Sequence, residues 1–244
     1  MNILLKDDER IDDLNRGMKI IQSSSTPCFS IDAVLLADFV PARSNARIIE
    51  LGSGTGIIPL LLAQKMPTAK ISGIEIIAEM CSQAQRSVEL NHLTSYIEII
   101  HGDLRDTTQY FGKDSADIIV VNPPYYKKGH GRRNQDDAFA AARVEEYCTL
   151  EDIILAAKTL LKPFGELYLI LTASRLVELL VLLATSSLNP EKLRIVQPYR
   201  DKDANLVLVA ARKCGKASMQ ILPPLIVYES KGQYTKEILD IYGR

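Results

Sequence analysis

The sequence predicts an α/β protein, a mostly parallel sheet with helices on both faces. Three observations lead there. From residue 47 onward, apolar runs of strand length alternate with segments of helical length and spacing, the pattern of a parallel sheet covered on both sides. A turn of alternating glycines, GSGTG, sits between the first such strand and the first such helix, where open α/β sheets bind their ligands. The last two strand candidates are joined by a short polar loop with no helix between them. One strand is therefore expected to run antiparallel, at or near the sheet edge.

The elements follow one another regularly. RIIEL (47–51) reads as the first strand and IIPLLLAQKM (57–66) as the first helix of the repeat. KISGIEI (70–76) and AEMCSQAQRSVELN (78–91) form the next pair. YIEIIHGD (96–103) and ADIIVVNPP (116–124) are the third and fourth strands. LEDIILAAKTLLKPFG (150–165) reads as a helix closed by Gly165, ELYLILT (166–172) as the fifth strand, and RLVELLVLLATS (175–186) as a further helix. KLRIVQP (192–198) and NLVLVAAR (205–212) make the hairpin. On this reading residues 1–46 are an N-terminal extension with a helix at IDAVLLADFV (31–40). Residues 47–212 are the sheet domain, and 213–244 are a C-terminal extension of that domain.

Composition narrows the function classes. A chain of 244 residues, 47% hydrophobic and 24% charged, can bury a sizeable core and has an ordinary globular balance. The net charge of −1 excludes a generally basic nucleic-acid coat while leaving room for a local basic patch. Cys28, Cys81, Cys148 and Cys214 form no C-x-x-C pair, and His92, His101 and His130 are scattered, so neither a metal site nor a disulfide framework is expected. The start, MNILLKDDERIDD, is acidic without a long apolar stretch and does not read as a secretory signal. No apolar run has the length of a membrane span. A reduced, cytoplasmic, monomeric protein is the expectation.

Four strand ends carry the chemistry. In ELGSGTG, Gly52, Gly54 and Gly56 let the backbone approach a ligand closely. Ile57 stands where a dinucleotide fingerprint has its third glycine, which makes a pyrophosphate the poorer guess. Glu75 ends the second strand, and its carboxylate can accept both ribose hydroxyl protons. Asp103 ends the third strand and can accept from an adenine amine, with Leu104 supplying apolar contact. VNPPYYKK (121–128) follows the fourth strand. Its proline pair stops the strand and stiffens the loop that holds Asn122 and Tyr125.

Taken in order, ELGSGTG, GIEI, GDL and NPPY resemble the motifs of class I S-adenosylmethionine-dependent methyltransferases. The resemblance spans about residues 28 to 212 and implies a Rossmann-like, seven-stranded sheet whose last strand is antiparallel. It implies S-adenosylmethionine as cofactor, with Glu50, Gly52, Gly54 and Gly56 around its methionine end, Glu75 on the ribose, and Asp103 and Leu104 on the adenine. The NPPY motif of this class acts on a planar nitrogen, an adenine amine or a glutamine amide. The Asn122 side chain and the Pro123 carbonyl would each accept one N–H as the nitrogen moves toward tetrahedral, and Tyr125 would stack on the planar group.

The following segment, YKKGHGRRNQDDAFAAARVE, carries Lys127, Lys128, Arg132, Arg133 and Arg143 against Asp136 and Asp137 up to that last arginine. Beside a base-sized pocket such a loop reads as a phosphate-contacting rim. Residues 191–244 add ten Lys or Arg against six Asp or Glu, a net +4, and suggest an RNA footprint. FSIDAVLLADF (29–39), NPPYYKKGHGRRN (122–134), LEDIILAAKTLLKPFGELYLI (150–170) and LPPLIVYESKGQYTKEI (222–238) are similar to the bacterial tRNA(Val) adenine-N6-methyltransferase family. That similarity implies methylation of the adenine beside the anticodon. It makes FSID a helix start over the cofactor pocket, with Ser30 as a candidate cap. Three alternatives stand beside it: a glutamine-N5 methyltransferase of release factors, a non-catalytic RNA-binding member of the fold, and a PPYY peptide read by a WW domain.

Overall fold

A computed structural model describes residues 4–14, 17–123, 148–216 and 218–243. Two short strands come first, β1 (Glu9–Asp13) and β2 (Lys19–Ser23), paired antiparallel with Glu9 opposite Ser23. Helix α1 (Ile31–Phe39) follows. The alternating region then runs β3 (Arg47–Leu51), α2 (Ile57–Lys65), β4 (Lys70–Glu75), α3 (Ala78–Leu90), β5 (Ile97–His101), a short α4 (Thr107–Phe111) and β6 (Ala116–Val121). After it come α5 (Leu150–Leu160), β7 (Leu161–Thr172), α6 (Leu176–Thr185), β8 (Leu188–Gln197), β9 (Leu206–Lys213) and β10 (Gln220–Ile226). A small antiparallel pair, β11 (Tyr228–Ser230) and β12 (Gln233–Tyr234), and α7 (Lys236–Ile241) close the described chain.

The main sheet has the order β10-β8-β9-β7-β6-β3-β4-β5. Its strands are parallel except β9, which runs against both β7 and β8. Successive residues of the central strands go to opposite cores. Ile48, Ile118 and Val120 pack with α1, α2 and α3 on one face, while Ile49, Ile119 and Val121 pack with α5 and α6 on the other. That two-sided burial is why these strands read as continuous apolar runs rather than alternating ones.

Three expectations need correction. The sheet has eight strands, where the sequence predicts seven. The extra one is β10, inside the stretch assigned to the C-terminal extension. Its Pro223 and Pro224 argue against a strand, yet β10 lies at the sheet edge and its register with β8 shifts between Leu222 and Leu225, across the two prolines. Edges and bulges are where a sheet tolerates a missing donor. Because β10 and β8 lie outside it, the antiparallel strand β9, expected at or near the edge, is third from it.

The helix expected over 150–165 ends at Leu160, and β7 begins at Leu161. Pro163 disfavours helical backbone at the residue before it. Phe164, not Gly165, takes the left-handed conformation, at φ 64°. The start of α5 is fixed by a capping box. Thr149 Oγ1 accepts from the Asp152 N–H (3.1 Å), and Asp152 Oδ2 accepts from the Thr149 N–H (2.8 Å).

Two strands also stand in the N-terminal stretch where only a helix is expected. β2 rests on α3: the Lys19 N–H donates to Asn91 Oδ1 (2.9 Å) and the Ile21 N–H to Ser87 Oγ (3.0 Å).

Candidate active site

Parallel strands bring their carboxyl ends to one edge, and β3, β4, β5 and β6 all end there. A cavity of about 510 Å³ opens at that edge, within the range of small-molecule sites. One wall is the strap 24–30 between β2 and α1. Glu50 to Thr55, Ile74 to Ile77, Gly102 to Leu104, Asn122, Pro123, Cys148 and Ile153 also line the cavity.

The glycine turn is tied to the neighbouring strand. The N–H groups of Gly52 and Ser53 both donate to the Ile74 carbonyl (2.9 and 3.0 Å). Gly52, Gly54 and Gly56 all have left-handed backbone, at φ 76°, 54° and 85°, which side chains other than glycine's strain to adopt. Gly52 and Gly54 line the cavity. Gly56 has a different task among the described residues. A Cβ there would lie 2.9 Å from Ala84 Cβ, so this glycine lets α2 start hard against α3.

Two buried carboxylates stand over the turn. Glu75 is held at both oxygens: Oε2 accepts from the Gly54 N–H (2.7 Å) and Oε1 from the Ile77 N–H (2.8 Å). Burial raises its pKa, and those backbone donors and His101 pull the other way. Glu50 is 1% exposed, and its Oε2 has no hydrogen-bond partner among the described residues. Burial, reinforced by the charge of Glu75, pushes Glu50 well above its ordinary value. Ser53 Oγ is likewise buried without a partner. A ligand with donors and positive charge fits this end of the cavity, because it would satisfy the orphaned oxygen and offset the like-charge pair.

The other expected residues fall around the same space. Ser30 lines the cavity and occupies the N-cap position of α1, but its side chain makes no capping hydrogen bond. Leu104 faces the cavity, as does Asp103. The Asp103 carboxylate is already engaged: Oδ1 accepts from the Arg105 backbone N–H (2.9 Å), and the Arg105 guanidinium holds both oxygens, which keeps its pKa below the usual range. An adenine amine would share that carboxylate with Arg105. Burial, with Asp152 and Asp103 nearby, pushes the Cys148 thiol up to about 11, so it stays a neutral thiol near neutral pH.

Asn122 and Pro123 follow β6, an interior strand paired with β3 and β7. Tyr125, Lys127, Lys128, Arg132, Arg133 and Arg143 lie outside the described residues. Among the described residues, five of the tail's cations have carboxylate partners. Arg212 pairs with Glu166 and Glu191, Lys213 with Asp114, Arg194 with Glu237, Arg200 with Glu229 and Lys202 with Asp201. Among the described residues no cluster of three or more His, Cys, Asp or Glu could hold a metal ion, and no helix is long and apolar enough to cross a membrane.

Sequence reasoning missed most of the strap. Ser24, Ser25, Thr26, Pro27, Cys28 and Phe29 line the same cavity as the glycine turn, and nothing periodic in SSSTPCF marks them. The strap's one available signal is position, just ahead of the helix that packs against α2 and β7.

Residues 28–186 match the family described as the methyltransferase small domain. A tRNA1(Val) (adenine(37)-N6)-methyltransferase of Porphyromonas gingivalis is 33% identical over 84% of this chain and 83% of its own length. The chain belongs to the methyltransferase small domain family and to that of the tRNA1(Val) (adenine(37)-N6)-methyltransferases. Among solved structures, a predicted O-methyltransferase from Agrobacterium tumefaciens superposes on this methyltransferase with a TM-score of 0.70 at 24% identity, covering 87% of this chain and 95% of that one. A geranyl diphosphate C-methyltransferase from Streptomyces coelicolor, solved with S-adenosyl-L-homocysteine, gives 0.56 at 15% identity over 74% of each chain. These two likenesses establish the fold.

Proposed function

We propose that this methyltransferase uses S-adenosylmethionine to methylate the exocyclic amine (N6) of an adenine in tRNA, beside the anticodon. The observation that carries the reading is the 33% identity to the Porphyromonas gingivalis enzyme across most of both chains. The Asn122–Pro123 pair at the rim of the carboxylate-bearing cavity supports it.

The cavity fits the cofactor, which supplies a methyl group on a positively charged sulfur. Glu50, with its unpartnered oxygen, would receive the ammonium at the methionine end, over the turn of Gly52 and Gly54. Glu75 would accept from the ribose hydroxyls with its remaining lone pairs. Leu104 would lie against the adenine, whose amine Asp103 would accept while still held by Arg105. Gly56 shapes the wall from behind, and Ser30 stands on the strap side.

At the other substrate, an adenine amine is a poor nucleophile because its lone pair is delocalised into the ring. The Asn122 side-chain oxygen and the Pro123 carbonyl would each accept one N–H as that nitrogen becomes tetrahedral. These bonds strengthen in the transition state and direct the lone pair toward the methyl group. Tyr125 would stack on the base, and Lys127, Lys128, Arg132, Arg133 and Arg143 would meet phosphates. A single-stranded loop offers an unstacked adenine at least cost, which favours an anticodon loop over a duplex. Action as a cytoplasmic monomer completes the proposal.

The test is incubation with labelled S-adenosylmethionine and separate pools of total tRNA, ribosomal RNA and release factors. Label in the tRNA pool is expected. Label in the release factors would replace the reading with glutamine methylation, and label in no pool would favour a non-catalytic RNA-binding protein.

A further inference from the structure

We propose that Gln22 is a positioning residue for the cofactor, locking the strap 24–30 to the glycine turn so that one carboxamide sets the distance between the two walls of the cavity. Gln22 ends in no solvent, at 1% exposed, and it sits on β2, outside the cavity lining. Its Oε1 accepts from the Phe29 N–H on the strap (3.1 Å), and its Nε2 donates to Thr55 Oγ1 on the turn (3.2 Å) and to the Ile21 carbonyl (3.3 Å). The backbone donor at Phe29 fixes which end of the amide is oxygen, so the other end can only donate. Phe29 and Thr55 both line the cavity. A second tie holds the middle of the strap: Thr26 Oγ1 donates to Gln83 Oε1 on α3 (3.1 Å). β2 is itself bonded to α3 through Ser87, so the bridge is anchored in the core and not at a free end.

The role rests on the cofactor reading above, and the test separates the two. Gln22→Met keeps length and removes both bridging bonds. Thr55→Val removes the hydroxyl and keeps the shape. Affinity for S-adenosylhomocysteine is measured by calorimetry, beside thermal melting without ligand and the split of kcat from KM for S-adenosylmethionine.

Each single variant should bind the cofactor product about tenfold more weakly, as expected for losing a buried hydrogen bond at the site. The double variant should lose little more than the worse single, because both changes break one bridge. KM for the cofactor should rise with kcat at saturation nearly unchanged. Losses under twofold in both single variants, or additive losses in the double, would overturn the role. If Gln22→Met fails to fold, Thr55→Val decides alone: a loss under twofold rejects the bridge. A wild type that binds no S-adenosylhomocysteine would instead reject the cofactor reading.

Discussion

Glu75 and Glu50 stand at the ends of adjacent strands in one cavity, and they are built differently. Both are buried and both are pushed toward the protonated form by that burial. Glu75 has a backbone N–H on each oxygen, whereas Glu50 has an oxygen with no partner among the described residues. One carboxylate is finished by the fold, and the other is completed by what binds. The difference teaches that the fold itself holds the Glu75 carboxylate in place. The Glu50 carboxylate carries a desolvation cost that, on the proposed reading, the cofactor's positive charge would relieve.

The largest effect should come from Glu75→Gln. A carboxamide has one acceptor oxygen, so its NH2 must face the N–H of Gly54 or Ile77, and the cofactor loses a charge-assisted acceptor. At about 1.5–3 kcal/mol for such a bond, affinity should fall roughly tenfold to a hundredfold, with a lower melting temperature. Calorimetry and thermal melting read both. An unchanged Tm would show that the two backbone bonds are dispensable and the comparison with Glu50 unfounded.

Glu50→Gln should do something Glu75→Gln cannot, raising stability without ligand while weakening the cofactor. Removing a buried carboxyl whose ionisation burial and Glu75 both disfavour should add on the order of 1 kcal/mol, or about 2–4 °C in Tm for a chain of this size. Cofactor affinity should drop about tenfold, the scale of a charged hydrogen bond. A destabilised variant would mean that Glu50 has a partner within the protein.

A smaller effect follows from titration. Glu50 ionises at higher pH in the folded chain than in the unfolded one, because burial and Glu75 disfavour its charge. Above its ordinary value near 4.5 the folded chain retains a proton that the unfolded chain has released. The stability from this group is therefore full in acid and is lost as pH rises toward the folded value. Melting of the wild type without cofactor should decline across that window more steeply than melting of Glu50→Gln. Parallel curves would remove Glu50 as the source. Cofactor affinity should move the opposite way, strengthening as Glu50 ionises.

How much of this could be read from the chain depends on what each residue answers to. Strands β3 to β6 and the turn between β3 and α2 are legible because local demands and burial agree there. Residues covered on both faces must be apolar, and three left-handed positions in five residues must be glycine. The stop after β6 is legible as well, since a proline pair ends a strand. The end of α5 is legible in Pro163, which disfavours helical backbone at the residue before it. β1 and β2 are not: ERIDD and KIIQS are short, β1 exposes Ile11, and both are held by α3 from far along the chain, β1 through Glu9 and Arg86. β10 was hidden by Pro223 and Pro224, which only its edge position allows. The Arg105 grip on Asp103 and the ion pairs of the tail depend on side-chain direction, which composition does not carry.

The central claim is that the Asn122 end of this cavity transfers a methyl group to adenine N6 in tRNA. Its most direct test is nucleoside analysis of tRNA after reaction with labelled S-adenosylmethionine, for the wild type and Asn122→Ala, with cofactor affinity measured on both. The account predicts labelled N6-methyladenosine from the wild type. It predicts a loss of about a hundredfold or more from the variant, the scale of removing a transition-state hydrogen bond, at nearly equal cofactor affinity. Label on any other base, or equal yields from the two proteins, would contradict it.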